Sequence, residues 1–253
     1  MNIYKKNYSI SFKSDVNIEE KNAIESQTYK SLANRARMVI LHLLYKRPMS
    51  VEEIAEEIKL QPITVRHHLR ALEEAGLITQ KEYRVGKAGR PSVKYEISRE
   101  IPPISFPKRQ YLALSSFFIK TANLLLGEKK AAEFFKKVGF EMGSHAIKRI
   151  ETKYEIKEWT PETFKEFFIE KYLREIGSEP EIIEISNTKI VYRLHNCIFF
   201  ELALDKPDIL CDILHESFNK GVSSGLGGKA KFIRTRCLTH GEPYCEHVCE
   251  WSI

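Results

Sequence analysis

The sequence predicts an α+β protein of two domains, and three observations support this class. Residues 29–76 place apolar side chains at helical spacing, separated by capping and turn residues. Alternating runs follow at 77–98, as in a strand hairpin. After the three prolines of "IPPISFP", residues 101–107, helical spacing returns and then gives way to alternation beyond about residue 180. The predicted bounds are an arm at 1–28, a first domain at 29–100 and a second at 108–253.

The composition limits the environment of the chain. Its 253 residues, 43% of them hydrophobic, are enough for two cores, and the net charge of +6 suits an anionic partner where it is concentrated. No apolar run approaches the ~20 residues that span a bilayer, and the N-terminus lacks an apolar signal core. We therefore expect a cytoplasmic protein with no membrane partner, in which clustered cysteines bind metal more often than they pair.

The first domain is predicted to begin with three helices. A helix over 29–47 ends at Pro48, and its apolar stripe comprises Leu32, Ala36, Val39, Ile40, Leu43 and Leu44. Ser50 and Glu53 form a capping box for the second helix. Pro62 opens the third helix, which stops at Gly76. The tight turn between the second and third helices predicts a helix-turn-helix.

The third helix shows a polar, cationic outer face, as a helix that enters the major groove should. This face comprises Gln61, Thr64, Arg66, His67 and Arg70; a merely solvated helix face is the alternative. The following hairpin carries Lys87 and Arg90 at its tip and Lys81, Arg84 and Lys94 on its arms, with Glu82 as the opposing acid. Cations placed there supply affinity for the phosphate backbone of DNA.

Residues 29–98 resemble the winged-helix regulators of the arsenic-repressor class. The similarity is carried by "MSVEEIAEEIKLQPITVRHHLRALEEAGLI" and by the wing "VGKAGRPSVKYEIS". It implies that the helix at 62–75 reads base edges of double-stranded DNA, and that the chain binds a roughly palindromic operator as a homodimer.

The second domain is predicted to run from helices to strands. Helices cover about 108–127, 128–150 and 160–177, the last between an N-cap at Thr160 and Gly177. "EIIEIS" and "TKIVYRLHN" pair over Ser186-Asn187, a helix spans about Pro207 to Lys220, and "GVSSGLGG" forms a turn. A final hairpin closes the chain. Nine aromatic residues at helical spacing are interpreted as core, with a ligand pocket as the alternative: Phe117, Phe118, Phe134, Phe135, Phe140, Phe164, Phe167, Phe168 and Tyr172.

Three of the five cysteines lie in the closing stretch "CLTHGEPYCEHVC". If this hairpin is symmetric about Gly241, Cys237 and Cys245 face each other with β-carbons about 5 Å apart. That distance allows a shared metal or a strained disulfide. Cys249 lies on the same strand face about 13 Å further along. Buried apolar cysteines are the remaining alternative.

Two further resemblances concern these cysteines. Residues 195–249 look like the end of a 4-vinyl-reductase-type domain, which implies zinc on Cys211, Cys237 and Cys245, although Arg234 stands at about the place of the family's glutamate ligand. "NCIF" and the later cysteines also resemble repressors of iron–sulfur-cluster biogenesis, which implies Cys197, Cys211 and Cys245 as ligands. Together they predict one Cys₄ site at Cys197, Cys211, Cys237 and Cys245, with Cys249 as the spare.

These features predict a transcriptional regulator that senses redox or metal status. The expected cofactor is a 4Fe-4S cluster or Zn²⁺, and the cluster is preferred because the site has no carboxylate. The alternatives are a thiol switch without metal, or a sensor of an apolar or aromatic small molecule in which zinc only braces the fold. No nucleophile elbow, phosphate loop or dinucleotide fingerprint is found, so we do not expect an enzyme.

Overall fold

The computed structural model describes residues 26–83, 92–98 and 109–252. The chain divides into two compact units, Met1–Arg109 and Gln110–Ile253. The predicted α+β class is confirmed, because both units combine helices with antiparallel strands. Most of the predicted arm at 1–28 and all of the proline-rich stretch at 101–107 lie outside the described residues. No helix in the described ranges is long and apolar enough to cross a membrane.

The N-terminal unit consists of helices followed by a two-stranded hairpin. Its described elements are α1 (26–32), α2 (Arg35–Lys46), α3 (Val51–Ile58), α4 (Pro62–Glu74), β1 (Ile78–Tyr83) and β2 (Ser92–Ile97). The predicted helix over 29–47 is wrong in one respect, since the chain breaks it before α2. The Asn34 side chain accepts a hydrogen bond from the Arg37 backbone N–H and thereby caps a new helix. In α2, Leu41 is buried and Val39 is exposed, so the predicted stripe is wrong at Val39.

The other helix signals of this unit are confirmed. Ser50 and Glu53 form both hydrogen bonds of the capping box at the start of α3. Pro62 is the first residue of α4, and Gly76 follows the helix with a φ of 69°. These boundaries set α3 and α4 against α2 around one core, whose fully buried members include Ile40, Ile54, Val65, Leu69 and Leu72.

The C-terminal unit packs helices against a four-stranded antiparallel sheet. Its described elements are α5 (Tyr111–Tyr154, interrupted at Gly127), α6 (Pro161–Thr163, continued by π-helical turns Phe164–Leu173), β3 (Pro180–Ser186), β4 (Lys189–Leu194), α7 (Phe200–Asp205), α8 (π-helical turns Asp208–His215, continued by Glu216–Gly225), β5 (Ala230–Arg236), a 3₁₀ turn (Leu238–His240) and β6 (Cys245–Trp251). The strand order is β3-β4-β6-β5.

Two turn predictions in this unit are wrong. The β3–β4 turn consists of Asn187 and Thr188, since Ser186 already pairs with Lys189. "GVSSGLGG" is helical as far as Gly225, and only Gly227 and Gly228 adopt the left-handed turn conformation. Gly221 lies inside this helix, directly against the backbone of Phe140 in α5.

The aromatic residues divide into a core group and an exposed group. Phe135, Phe164 and Phe168 are buried, and Phe167 and Tyr172 pack partly buried against them. The core interpretation is wrong for the other four, Phe117, Phe118, Phe134 and Phe140, which are all exposed.

Candidate nucleic-acid interface and thiol cluster

α4 buries its apolar side and leaves one polar face exposed. Val65, Leu69 and Leu72 have no exposed surface. All five residues predicted on this helix to contact DNA are exposed: Gln61, Thr64, Arg66, His67 and Arg70. Arg66 forms an ion pair with Glu52 at 3.2 Å, but both side chains are more than half exposed. Such pairs contribute little to stability, so Arg66 is free to exchange Glu52 for another partner.

Ile63 belongs to the same face and was missed by the sequence analysis. It is 72% exposed and precedes Arg66 and His67 by three and four positions, so it continues their stripe toward the start of α4. The N-terminal residues of a recognition helix are those that reach base edges. An apolar side chain there suits the methyl group of thymine. Ile63 is identified by the exposure of its side chain, which its residue type alone does not predict.

The wing cations fall into two groups. Lys87 and Arg90, together with Arg84, lie outside the described residues. Lys81 pairs with Glu96 at 3.3 Å, and Lys94 pairs with Glu53 of α3 at 3.0 Å. The interpretation of Glu82 as the only opposing acid is therefore wrong, because two arm cations are already paired within the unit.

A β-bulge brings Cys237 and Cys245 opposite each other. Arg234 pairs with His247, but Arg236 pairs with Glu246, so the register shifts by one residue between them. Continued by one position, the shifted register sets Cys237 against Cys245. Both thiols are buried. The geometry expected for a hairpin symmetric about Gly241 is thus produced by the bulge.

Cys211 reaches the same place from α8. The Thr239 hydroxyl lies 3.0 Å from Cys211 Sγ and 3.2 Å from Cys237 Sγ. Cys245 Sγ accepts a hydrogen bond from the Leu238 backbone N–H at 3.3 Å. The 3₁₀ turn at Leu238–His240 therefore ties together thiols from β6, from the end of β5 and from α8. Thr239 was missed because no sequence signal distinguishes it.

The three thiols interact as one acid–base group. Hydrogen bonds from Cys211 and then Cys245 lower the pKa of Cys237 far below the value of a free thiol. The same hydrogen bonds to Cys237, with burial second, raise the pKa values of Cys211 and Cys245. Burial raises the pKa of Cys197, whose thiol also interacts electrostatically with Cys237. These interactions favour the thiolate form of Cys237.

Arg234 adds a positive charge to this cluster. Its side chain is only 9% exposed, and it forms ion pairs with Asp212 at 2.6 Å and with Glu216 at 3.4 Å. Its Nη1 donates to the Cys211 backbone carbonyl at 3.0 Å and lies 3.6 Å from Cys237 Sγ. The guanidinium therefore links the α8 segment that carries Cys211 to the strand that leads to Cys237.

The thiols are suitable metal ligands by residue type, but their arrangement is not that of a metal site. Four thiolates suit Zn²⁺ or an iron–sulfur cluster. Yet within residues 26–83, 92–98 and 109–252, no three His, Cys, Asp or Glu side chains are arranged as ligands of one ion. The Thr239 hydroxyl instead bonds to two of the sulfurs. The arrangement as it stands does not fit a metal.

Cys249 and the neighbouring histidines lie outside the thiol cluster. Cys249 pairs with Ile190 and Phe232 in the middle of the sheet and is fully buried, which raises its pKa to about 12. His247 is also fully buried and stacks on Tyr192 with ring centroids 5.2 Å apart. His215 lies 5.1 Å from His247 by the same measure.

Part of the chain matches a known domain family. Residues 32–81 match the model described as "Helix-turn-helix domain". An uncharacterized HTH-type transcriptional regulator of Methanocaldococcus jannaschii is 41% identical over 49 residues, which cover 19% of this chain and 52% of that relative. The chain thus matches about half the length of this curated relative.

Solved structures also show similarities. Reduced HlyU from Vibrio cholerae is 26% identical, with 32% of this chain and 80% of that chain covered and a TM-score of 0.27. The phenol-responsive sensory domain of the transcription activator PoxR with phenol is 12% identical, with 62% and 80% covered and a TM-score of 0.42. The family match and the geometry of α3 and α4 agree that residues 32–81 form a helix-turn-helix domain.

Proposed function

We propose that this protein is a DNA-binding transcriptional regulator whose C-terminal unit senses redox or metal status through Cys197, Cys211, Cys237 and Cys245. One observation carries the proposal: a single chain joins a helix-turn-helix domain with an exposed cationic face to a unit in which separate segments contribute thiols to one cluster. The HTH-type regulator from M. jannaschii supports the first half of the proposal.

The DNA-binding half assigns α4 to the major groove. Arg66 and Arg70 suit guanine, and Gln61 suits adenine. A duplex selected from a random library would serve as operator. Arg66→Ala and Arg70→Ala should each weaken binding to it by about 1–3 kcal/mol. Arg174→Ala is the matched control, because Arg174 is an exposed arginine of the C-terminal unit. Unchanged affinity in both α4 variants would reject this assignment.

The sensing half has a redox form that needs only thiols and a peroxide. The Cys237 thiolate attacks one peroxide oxygen and releases water, which leaves a sulfenic acid. A second thiol, from Cys211 or Cys245, displaces a second water and forms a disulfide. Two thiols are oxidised by two electrons, and the peroxide is reduced to two waters.

The metal form, which the sequence resemblances imply, would place a 4Fe-4S cluster or Zn²⁺ on the same four thiols, and Cys211 and Cys237 would have to give up their hydrogen bonds to the Thr239 hydroxyl to become ligands. Metal and sulfide analysis of protein purified without oxygen tests it. Bound metal should be lost in Cys245→Ser and kept in Cys249→Ser, a matched control because both thiols are buried on one strand. Metal-free protein that forms a reversible disulfide with peroxide would favour the redox form. Loss of every response in Cys249→Ser alone would overturn the choice of thiols.

Ligand sensing is the second candidate function, and one observation favours it. Both ring nitrogens of His247 and the side-chain nitrogen of Asn219 are buried and have no hydrogen-bond partner among the described residues. Buried polar atoms without partners are costly, and a ligand hydroxyl beside His247 would give its ring a hydrogen-bond partner. A phenol series should then raise the melting temperature of wild-type protein and not of His247→Phe. Equal shifts in both would reject this candidate.

A further inference from the structure

The first half of α5 exposes a row of large apolar side chains. Between Tyr111 and the break at Gly127, Phe117 and Phe118 are 62% and 60% exposed, and Leu124 and Leu125 are 85% and 75% exposed. Lys120 is the one charged residue of this segment. A continuous apolar surface of this kind on a soluble protein marks an interaction site.

The spacing of these residues selects another helix as the partner. Tyr111, Leu114, Phe118, Thr121 and Leu125 follow one another at intervals of three, four, three and four, which is the seam of a two-stranded coiled coil. Ile119 and Ala122 lie on a neighbouring face and pack into the core of the C-terminal unit. The helix is therefore anchored along one side while its seam stays exposed.

We infer that this seam is a dimer interface, formed with the same helix of a second copy of this chain. A seam of this pattern is self-complementary, as a twofold interface requires. Lys120 lies outside the seam, so two copies meet without like charges facing each other. The four large side chains of the seam, together with Phe117 and Leu124 beside it, would bury on the order of 600 Å² per copy, which is the lower end of the ~600–1,000 Å² per partner of a standard interface.

This inference deepens the proposed function by naming the partner and its surface. A roughly palindromic operator needs two copies of α4. The chain passes from the N-terminal unit into α5 within two residues of Arg109. Pairing of α5 would therefore join two DNA-binding units in one dimer.

Analytical ultracentrifugation of the full chain without DNA tests the inference. Wild type should sediment as a dimer, and Phe118→Glu and Leu125→Glu should each raise the dimer dissociation constant at least tenfold. Ala113→Glu is the matched control, since Ala113 is an exposed residue of the same segment outside the seam and receives the same charge. Circular dichroism would verify folding, and Leu125→Ala, at a site already 75% exposed, provides a milder variant.

The oligomeric state of the wild type and of the glutamate variants decides whether the seam is a dimer interface. A wild-type protein that is monomeric at tens of micromolar would overturn the inference. The seam would then be covered by another part of the same chain or would bind lipid, which a vesicle-binding assay distinguishes. A dimer that survives both glutamate variants would also overturn it. Because no DNA is present, these results stand apart from the operator-binding test of the proposed function.

Discussion

Arg234 places a buried cation where the resembling zinc-binding domains have a carboxylate. Its guanidinium is held by Asp212 and Glu216 and lies 3.6 Å from Cys237 Sγ. A carboxylate at this position would add a metal ligand, whereas a guanidinium stabilises a thiolate. The sequence comparison already placed Arg234 at about the position of the family's glutamate ligand, and therefore predicted that this ligand is absent. It gave no sign that the arginine would turn toward the sulfur, which depends on α8 packing beside β5.

Replacing Arg234 should therefore slow the chemistry of Cys237. Arg234→Gln removes the positive charge, and we expect the pH at which iodoacetamide alkylation of Cys237 reaches half its maximal rate to rise, so that the rate falls at acidic pH. Quantitative mass spectrometry of the labelled peptide measures this rate. Arg236→Gln is the matched control, because Arg236 is exposed and pairs with Glu242. Equal rates in wild type and Arg234→Gln would show that the guanidinium does not act on the thiol.

His215 makes stability depend on pH. Burial lowers its pKa from the ordinary value to about 4, whereas a histidine in the unfolded chain titrates near 6.5. Between these values the unfolded state binds more protons, so stability is complete above about pH 6.5 and is lost as pH falls toward about 4. Glu53, with a pKa lowered to about 2 chiefly by the Ser50 backbone N–H, acts below that window.

Urea unfolding at pH 5 and pH 7 measures this dependence. His215→Gln should reduce the difference between the two free energies of unfolding, although it lowers both; part of the difference should remain, because His247 is also buried with a lowered pKa. His240→Gln should leave the difference intact, because His240 lies on the exposed 3₁₀ turn, with 45% of its side chain accessible. If His240→Gln flattened the profile and His215→Gln did not, the assignment would be wrong.

At the scale of elements, glycines decide how α8 lies against α5. Gly139 and Gly143 of α5 meet the backbone of Leu214 and Phe218, and Gly221 of α8 meets the backbone of Phe140. The sequence suggested a turn around Gly221, since several glycines in eight residues usually end a helix. Contact between helices overrides that local signal, because only glycine lets the two backbones approach so closely.

Gly143→Ala separates the local effect from the packing effect. Helix propensity alone predicts stabilisation by about 1 kcal/mol. The added methyl group would, however, meet the Phe218 carbonyl and lie 2.8 Å from the Val222 backbone nitrogen. Backbone atoms cannot rotate away, so we expect net destabilisation by about 1–3 kcal/mol in urea unfolding. Glu141→Ala, at an exposed position of α5, should change stability little; stabilisation by Gly143→Ala would contradict the close crossing.

Local signals predicted most helices of the N-terminal unit and fewer features of the C-terminal one. Capping at Ser50, the start at Pro62 and the stop at Gly76 depend on neighbouring residues, so the sequence contains them. The bulge that aligns Cys237 with Cys245, and the Thr239 hydroxyl beside two sulfurs, depend on contacts between distant segments. Single-sequence patterns carry no information about such contacts, which is why the donor residues were found and their arrangement was not.

For the whole molecule, the proposed function requires that thiol state and operator affinity be linked. If oxidation of the cluster changes the affinity for the operator by a given factor, thermodynamic linkage requires that operator binding change the dithiol–disulfide equilibrium constant by the same factor. Couplings between protein sites typically lie between about fivefold and 150-fold. The two measurements are independent, because one follows DNA and the other follows thiols.

Both halves of this linkage can be measured on the full chain. Operator dissociation constants of reduced and peroxide-oxidised protein should differ at least fivefold. In a glutathione redox buffer, saturating operator should then shift the oxidised fraction by the same factor, read by alkylation and mass spectrometry. Arg70→Ala, which should not bind operator well, should show no shift at the same DNA concentration. Equal affinities in the two states would mean that the thiols do not report to α4, even if both the cluster and the DNA-binding face are intact.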